Sequence, residues 1–439
     1  MKENHKKVII VGAGVSGLTL AYLLSRDGHD VTVIEKEVEV GGLARSFSYD
    51  EYTFDIGPHR FHTDQPDVLR FIQETLDNEY CSIERKSGVR MFDQYFDWPL
   101  SVLSPLHMPL SVLWSVGRDF FRNAGSGGAT FEDYIINAYG KTLYELFFRP
   151  YTEKFLKIPC SRVSRDWAVT GIDRAVIDKN LPMDDLAALA RSILLPRSPL
   201  MFLYPKSGGI GVFSKNLAKK ASNRGAALLL NTKVDKIFTE GNEVRDVSAG
   251  GREFECGLLV WTAPVTELLH LLGKEAPPLK YLSLILYNYR IDHAPLVDYQ
   301  WCYFGSEDVP FNRVSIPSLF NPSLAPRGAS GLCVEVTCAI TDPLWKNPET
   351  SEPGILRALK AVGLLRDERA VLGVQRERIP NAYPIYSVGY EEKFRNAARM
   401  VEAFSNIRLL GRTGSFWYNN MDHSIKAAMD LQKDVQRYL

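Results

Sequence analysis

The sequence predicts an α/β fold: a Rossmann-type domain on a parallel sheet, interleaved with a helical insertion and an antiparallel-sheet domain. Three observations predict it. Residues 7–36 read as strand, glycine turn, helix, strand. Short apolar strands recur far along the chain, at residues 228–230, 257–263 and 407–410. Longer β-like runs stand apart from these, at residues 281–287 and 332–338.

The opening unit carries the most chemistry. Residues 8–11, after Lys7, form a continuous apolar run, as a parallel strand buried on both faces requires. Gly12-Ala13-Gly14-Val15-Ser16-Gly17 follows, and residues 18–26 have helical apolar spacing. Gly12 permits a tight turn, Gly14 lets a pyrophosphate approach the backbone, and Gly17 lets helix and strand pack closely. The phosphate then rests on the helix N-terminus, where amide donors and the macrodipole favour an anion. Residues 31–34 form the second strand, and Glu35 after it can accept hydrogen bonds from a ribose diol. Gly209-Ile210-Gly211 has a related spacing, but polar Tyr204-Pro205-Lys206-Ser207 precedes it instead of a strand. A second Rossmann site for a nicotinamide is therefore not expected.

Composition narrows the class. The 439 residues carry 52 Lys+Arg and 52 Asp+Glu, so no basic excess points to nucleic acid. At 45% hydrophobic and 24% charged the chain is ordinary globular material. Six cysteines with no CxxC pair argue against a zinc ribbon or a disulfide framework and fit a reducing, cytoplasmic setting. Residues 99–114 are greasy but broken by Ser101, Ser104, His107 and prolines, too short for a spanning helix. They read as a buried substrate-domain segment, with loose membrane contact as the alternative. The expected division is 1–95, 204–275 and 404–439 for the dinucleotide-binding domain, 96–203 for the helical insertion, and 276–403 for the antiparallel-sheet domain.

After Glu35 the chain continues Lys36-Glu-Val-Glu-Val-Gly41-Gly42-Leu43-Ala-Arg45-Ser46. This resembles the FAD signature of the amine oxidase, protoporphyrinogen oxidase and UDP-galactopyranose mutase superfamily, which implies a GR2-like FAD domain. Further segments resemble the UDP-galactopyranose mutases. They are Gly57-Pro58-His59-Arg60-Phe61-His62-Thr63, Tyr151-Thr-Glu-Lys154, Val309-Pro-Phe-Asn-Arg313, Asn381-Ala-Tyr383-Pro384, and Gly411-Arg412 through Tyr418, Asn420, Met421, Asp422 and Ser424. The resemblance runs from end to end.

It implies FAD bound by Gly12, Ala13, Gly14, Val15, Ser16, Gly17, Glu35, Lys36, Gly42, Leu43, Arg45, Pro58, His59, Val234, Arg412, Asn420, Met421, Asp422 and Ser424. It implies His59 and Arg313 in catalysis, and Tyr151, Arg174, Arg313, Tyr383 and Tyr418 on a nucleotide-diphosphate sugar. The implied reaction is pyranose–furanose interconversion, of the kind that feeds polysaccharide biosynthesis. Reduced flavin N5 acts as the nucleophile at the anomeric carbon. Arginines and tyrosine hydroxyls would offset the diphosphate. A helix starting near Asp422 would aim backbone amides near 421–423 at the flavin pyrimidine.

Departures from the pattern leave alternatives open. Phe155-Leu156 stand where the mutases have Gln-Trp, Asp342 where they have a diphosphate tyrosine, and Arg174 fits only with a one-residue shift. Asp342 is either a carboxylate facing the diphosphate or a turn residue before Pro343. Arg313 is either a phosphate ligand or a solvated surface residue, and Arg60 either reaches substrate or faces solvent. For His59 and His62 the readings are flavin neighbour, turn cap or metal ligand, the last lacking further ligands; no metal is expected. Tyr95, Trp98 and Trp167 read as core or pocket wall. The alternative function is an FAD oxidase or desaturase of the protoporphyrinogen or amine oxidase type. A weaker one is a flavin-binding protein without catalysis. A homodimer is allowed for; nucleic acid and a transmembrane segment are not expected.

Overall fold

The computed structural model describes residues 7–98, 108–120, 127–175 and 199–435. Five parallel strands form the Rossmann-type sheet, in the order Ile407–Leu409, Leu258–Trp261, Val8–Val11, Val31–Ile34, Ala227–Leu229. Val8–Val11 is buried throughout, because helices cover one face of this central parallel strand and a small antiparallel sheet with two further helices covers the other. The helices Val15–Arg26, Gly211–Ser222 and Met421–Val435 share one core with that sheet. Strands from three separated stretches of sequence thus lie in one sheet.

The second layer is a seven-stranded sheet in the order Val371–Pro384, Tyr281–Ile291, Ser330–Cys338, Arg313–Ser315, Trp301–Phe304, Ser87–Met91, Gln94–Asp97. All its pairings are antiparallel except that of Trp301–Phe304 with Ser87–Met91. Tyr281–Ile291 shows the two-residue period of a strand covered on both sides. Ile285, Tyr287, Tyr289 and Ile291 enter one core cluster; Leu282, Leu284 and Leu286 enter another. A boundary at residue 95 does not match this sheet. Residues 87–97 supply its last two strands, because Ser87–Met91 pairs with Trp301–Phe304 more than 200 positions away.

Tyr204 and Pro205 close a strand, Met201–Pro205, contrary to the polar reading of that stretch. It pairs antiparallel with Tyr80–Glu84, so the Gly209-Ile210-Gly211 turn is no second Rossmann unit. Instead Asp55 accepts from Ser46 Oγ (2.6 Å), the Tyr204 hydroxyl (2.6 Å) and the Ile210 amide (3.0 Å). Burial pushes that carboxyl up to about 6, against the pull of these donors. The knot fixes the start of the Gly57-Pro58-His59 turn, two residues on.

Residues 99–107 of the greasy segment lie outside the described part. Its end opens the helix Leu110–Phe120, where Leu110 and Trp114 are exposed rather than buried. Among the described residues no helix is long and apolar enough to cross a membrane.

Candidate functional site

A cavity of about 650 Å³ opens at the C-terminal ends of the parallel strands, where an α/β sheet receives its ligands. Each glycine of the first turn does a different job there. Gly12 has φ +103°, and a Cβ on it would collide with the Thr262 hydroxyl. A Cβ on Gly17 would strike the Gly12 carbonyl, so helix and strand could not close. Gly14 has nothing within 4 Å of such a Cβ: open space of the cavity lies beside it. The loop after the second strand folds back over this turn, with the Gly41 amide donating to the Ala13 carbonyl (2.7 Å).

Glu35 is buried and lines the cavity, but its carboxylate already accepts the Ala13 amide (2.7 Å) and the Glu37 amide (3.0 Å). It therefore braces the first glycine turn as well as lining the cavity. Lys36, Gly42, Leu43, Arg45, Val15, Ser16, Val234, His59, Arg412, Asn420, Met421 and Ser424 also line the cavity. Ala13, Gly17, Pro58 and Asp422 do not, although each stands among the expected cofactor residues. Ala13 and Gly17 are buried scaffold, the Pro58 carbonyl accepts Arg60 Nη1 (2.8 Å), and Asp422 lies buried at the start of the last helix. Thr262, Pro264, Glu267, His270, Asn381 and Asn419 line the cavity without having been expected. The signal for the first four is present in the sequence: they follow Leu258–Trp261, a strand of the parallel sheet.

The residues present fit a dinucleotide. Three buried polar atoms on the cavity, Arg45 Nε, His59 Nδ1 and Asn419 Nδ2, have no hydrogen-bond partner among the described residues. Such atoms are costly unless a ligand or water completes them.

The two histidines separate. Burial, helped by Arg412, Arg313 and Arg60, pushes the His59 imidazole down to about 3, so it is neutral near pH 7. His62 instead meets the Met201 carbonyl at 3.3 Å and sets its ring edge-on to Phe202. Arg60 lies over the rings of Trp301 (4.6 Å) and Phe202 (4.9 Å). Among the described residues no group of three His, Cys, Asp or Glu could hold a metal.

Beside His59 the second sheet brings an aromatic cluster together. Tyr151 meets Tyr303 edge-on at 5.6 Å, Tyr383 meets Tyr418 at 5.5 Å, and Trp167 stacks on Tyr418 at 4.7 Å. Arg412 lies over both Tyr383 (5.5 Å) and Tyr418 (5.2 Å), and so belongs to cavity and cluster alike. Lys154 ties the Tyr151 helix to the end of the strand Trp301–Phe304 and the loop after it, donating to the carbonyls of Phe304 (3.0 Å) and Ser306 (2.8 Å). Burial lowers its ammonium to about 7. Phe155, where the mutases have Gln, packs edge-on against Tyr383 at 5.2 Å.

Arg313 is here, but not as a solvated residue and not as an unclaimed cation. Its Nε and Nη2 both donate to Glu335, at 2.5 and 2.6 Å, and Nη2 lies 3.4 Å from the Tyr383 hydroxyl. Glu335 is absent from the residues expected at the site. Asp342 caps the short helix Pro343–Lys346 by accepting the Leu344 amide (2.9 Å), which is the turn reading. The Arg174 side chain lies outside the described part.

Comparisons place this arrangement among known proteins. A family described as an NAD(P)-binding Rossmann-like domain matches residues 10–75. A probable UDP-galactopyranose mutase from Klebsiella pneumoniae is 29% identical over 160 residues, 34% of this chain and 41% of that one. A 4,4'-diapophytoene desaturase from Staphylococcus aureus is 25% identical over 259 residues, 53% and 50% respectively. An L-amino-acid oxidase from Sistrurus catenatus edwardsii is 42% identical over 72 residues, 16% and 14%. The matches thus span half or less of these relatives' lengths. Among solved structures, a reduced UDP-galactopyranose mutase superposes with TM-score 0.84 at 22% identity, covering 99% of this chain and 96% of that one. A putrescine oxidase gives 0.66 at 16% identity, with 99% of each chain covered.

In class, then, the fold is a Rossmann-type dinucleotide-binding domain carrying an antiparallel-sheet domain. Within that class it shares its fold with a reduced UDP-galactopyranose mutase and, less closely, with a putrescine oxidase.

Proposed function

We propose that the chain is an FAD-dependent enzyme that acts on a nucleotide-diphosphate sugar as a pyranose–furanose mutase. The observation that supports it best is the joining of two sites at His59. A dinucleotide cavity with three unsatisfied polar atoms abuts a cluster of four tyrosines, in a fold shared with a UDP-galactopyranose mutase over nearly its whole length. Gly12, Gly14 and the start of the helix Val15–Arg26 would take the pyrophosphate, and Glu35 the ribose. The start of the helix Met421–Val435 would hold the pyrimidine edge. When bound and reduced, the flavin supplies a nucleophilic ring nitrogen.

This chain's own residues supply placement. Neutral His59 offers a ring nitrogen at the cavity wall without adding a charge. Tyr151, Tyr383 and Tyr418 would orient the sugar through their hydroxyls and ring faces. Burial holds the Tyr151 and Tyr383 hydroxyls protonated, Tyr383 at about 12, so they serve as hydrogen-bond donors.

The test is turnover on purified protein. A mutase carries bound flavin, requires prior reduction, and interconverts ring forms without consuming oxygen stoichiometrically. The second reading, an oxidase or desaturase, is favoured by one observation: Glu335 balances the charge of Arg313, the residue expected to hold a diphosphate. Substrate-dependent oxygen uptake with no mutase turnover would select it.

A further inference from the structure

The long strand Val371–Pro384 breaks its register where it passes from the cavity to the cluster. Leu282 of the neighbouring strand pairs with Tyr383, but Leu284 pairs with Ile379, so Ser283 alone faces Pro380, Asn381 and Ala382. Bulges of this kind re-aim side chains and recur beside active sites. Asn381 takes φ +54° in it, and among the described residues it is the one non-glycine residue inside a strand with a positive φ.

The bulge divides the strand's duties. Ile379, Pro380 and Asn381 line the dinucleotide cavity, while Tyr383, two residues on, stands in the aromatic cluster. Between them the Ala382 carbonyl accepts Arg412 Nη1 (3.3 Å), and Arg412 Nη2 donates to the Asn419 carbonyl (2.6 Å). Arg412 also bears on the His59 imidazole. Asn381 thus adjoins the wall that His59, Arg412 and Asn419 build. It is half-buried, and its carboxamide has no hydrogen-bond partner among the described residues.

Glycine would serve this left-handed backbone with no steric cost. What asparagine adds is a carboxamide, donor and acceptor together, on the cavity surface. Strained non-glycine residues of this sort cluster at ligand sites.

We infer that Asn381 is a further cofactor-binding residue, whose carboxamide hydrogen-bonds the flavin head of the dinucleotide beside His59 and Arg412. The inference rests on the reading of an FAD enzyme and deepens it: one bulge sets both a cofactor contact and the place of Tyr383.

Calorimetric titration of FAD, and separately of ADP, into the flavin-stripped full chain tests this in wild type and Asn381→Gly. The glycine variant keeps the left-handed turn and loses only the carboxamide. Its apoprotein should melt at or above the wild-type temperature. Its FAD affinity should fall about three- to tenfold, while ADP, which lacks the flavin head, binds as it does to wild type. Asn381→Asp, which also tolerates this backbone, should lose at least as much FAD affinity, because it sets a carboxylate beside an anionic ligand. FAD affinity in Asn381→Gly within about twofold of wild type overturns the inference. So does an equal loss for ADP, or a lower apoprotein Tm, which would give the carboxamide to the bulge instead of the ligand. The readout is cofactor affinity rather than turnover. Flavin-bound protein without mutase activity therefore counts against the proposed function and leaves Asn381 in place, whereas active protein with unaltered FAD affinity in Asn381→Gly sinks the inference alone. Wild type that takes up no FAD overturns both.

Discussion

The dinucleotide cavity and the aromatic cluster meet at His59 and Arg412 but are made by opposite means. The cavity is a backbone construction: a glycine turn, a helix start, strand ends, and a loop held back by one amide. The cluster is a side-chain construction, assembled from the helix Arg149–Leu156 and strands far apart in sequence. The first therefore fails when a single carbon is added. The second tolerates change if the change is matched across the register.

The largest effects should come from the glycines. Gly17→Val puts side-chain carbon onto the Gly12 carbonyl and should destabilise the fold by upwards of ~4 kcal/mol, seen as loss of soluble, flavin-bearing protein. Gly14→Ala separates folding from binding. With nothing within 4 Å, the apoprotein should melt near the wild-type temperature while flavin retention falls. A large drop in apoprotein Tm would show that the space beside Gly14 is not ligand space.

Next comes the matched pair. Arg313→Met alone leaves Glu335 buried and uncompensated, a loss of about 3–5 kcal/mol. Adding Glu335→Met should restore most of it in urea denaturation. A double variant no more stable than the single would break the contrast between the two regions.

His59 gives a smaller, pH-dependent effect. Its folded value lies below the ordinary 6.5, so its contribution to stability is complete above about pH 6.5. That contribution is lost as pH falls toward about 3. His59→Asn should flatten the acid limb of the stability curve, and an unchanged limb would argue against a buried neutral imidazole. The smallest effect is Glu35→Gln, which keeps one acceptor for the Ala13 and Glu37 amides and should cost about 1 kcal/mol of cofactor affinity. Equilibrium dialysis against FAD would measure it.

The cavity is largely legible in the amino-acid sequence. Its turn, its helix start and Glu35 lie within thirty residues, and each is required by local geometry. The return of the chain at Leu258–Trp261 is legible as a strand, and Thr262, Glu267 and His270 follow from it once the strand is placed in the parallel sheet. The cluster is legible only as a set of residue types. A carboxylate inside Leu332-Cys-Val-Glu335-Val-Thr-Cys338 signals a buried charge in need of a partner, yet nothing local says that the partner is Arg313. Nor can alternation reveal that residues 87–97 close the far edge of that sheet.

The sequence by itself determined the parallel-sheet unit and the place where a dinucleotide's phosphates would rest, because backbone angles and helix dipoles act over a few residues. Only the tertiary structure decided that Arg313 arrives already neutralised, that His59 stays uncharged, and that Asp342 is a helix cap. Charge balance in a buried site depends on strand register, and register is settled by the packing of the whole sheet.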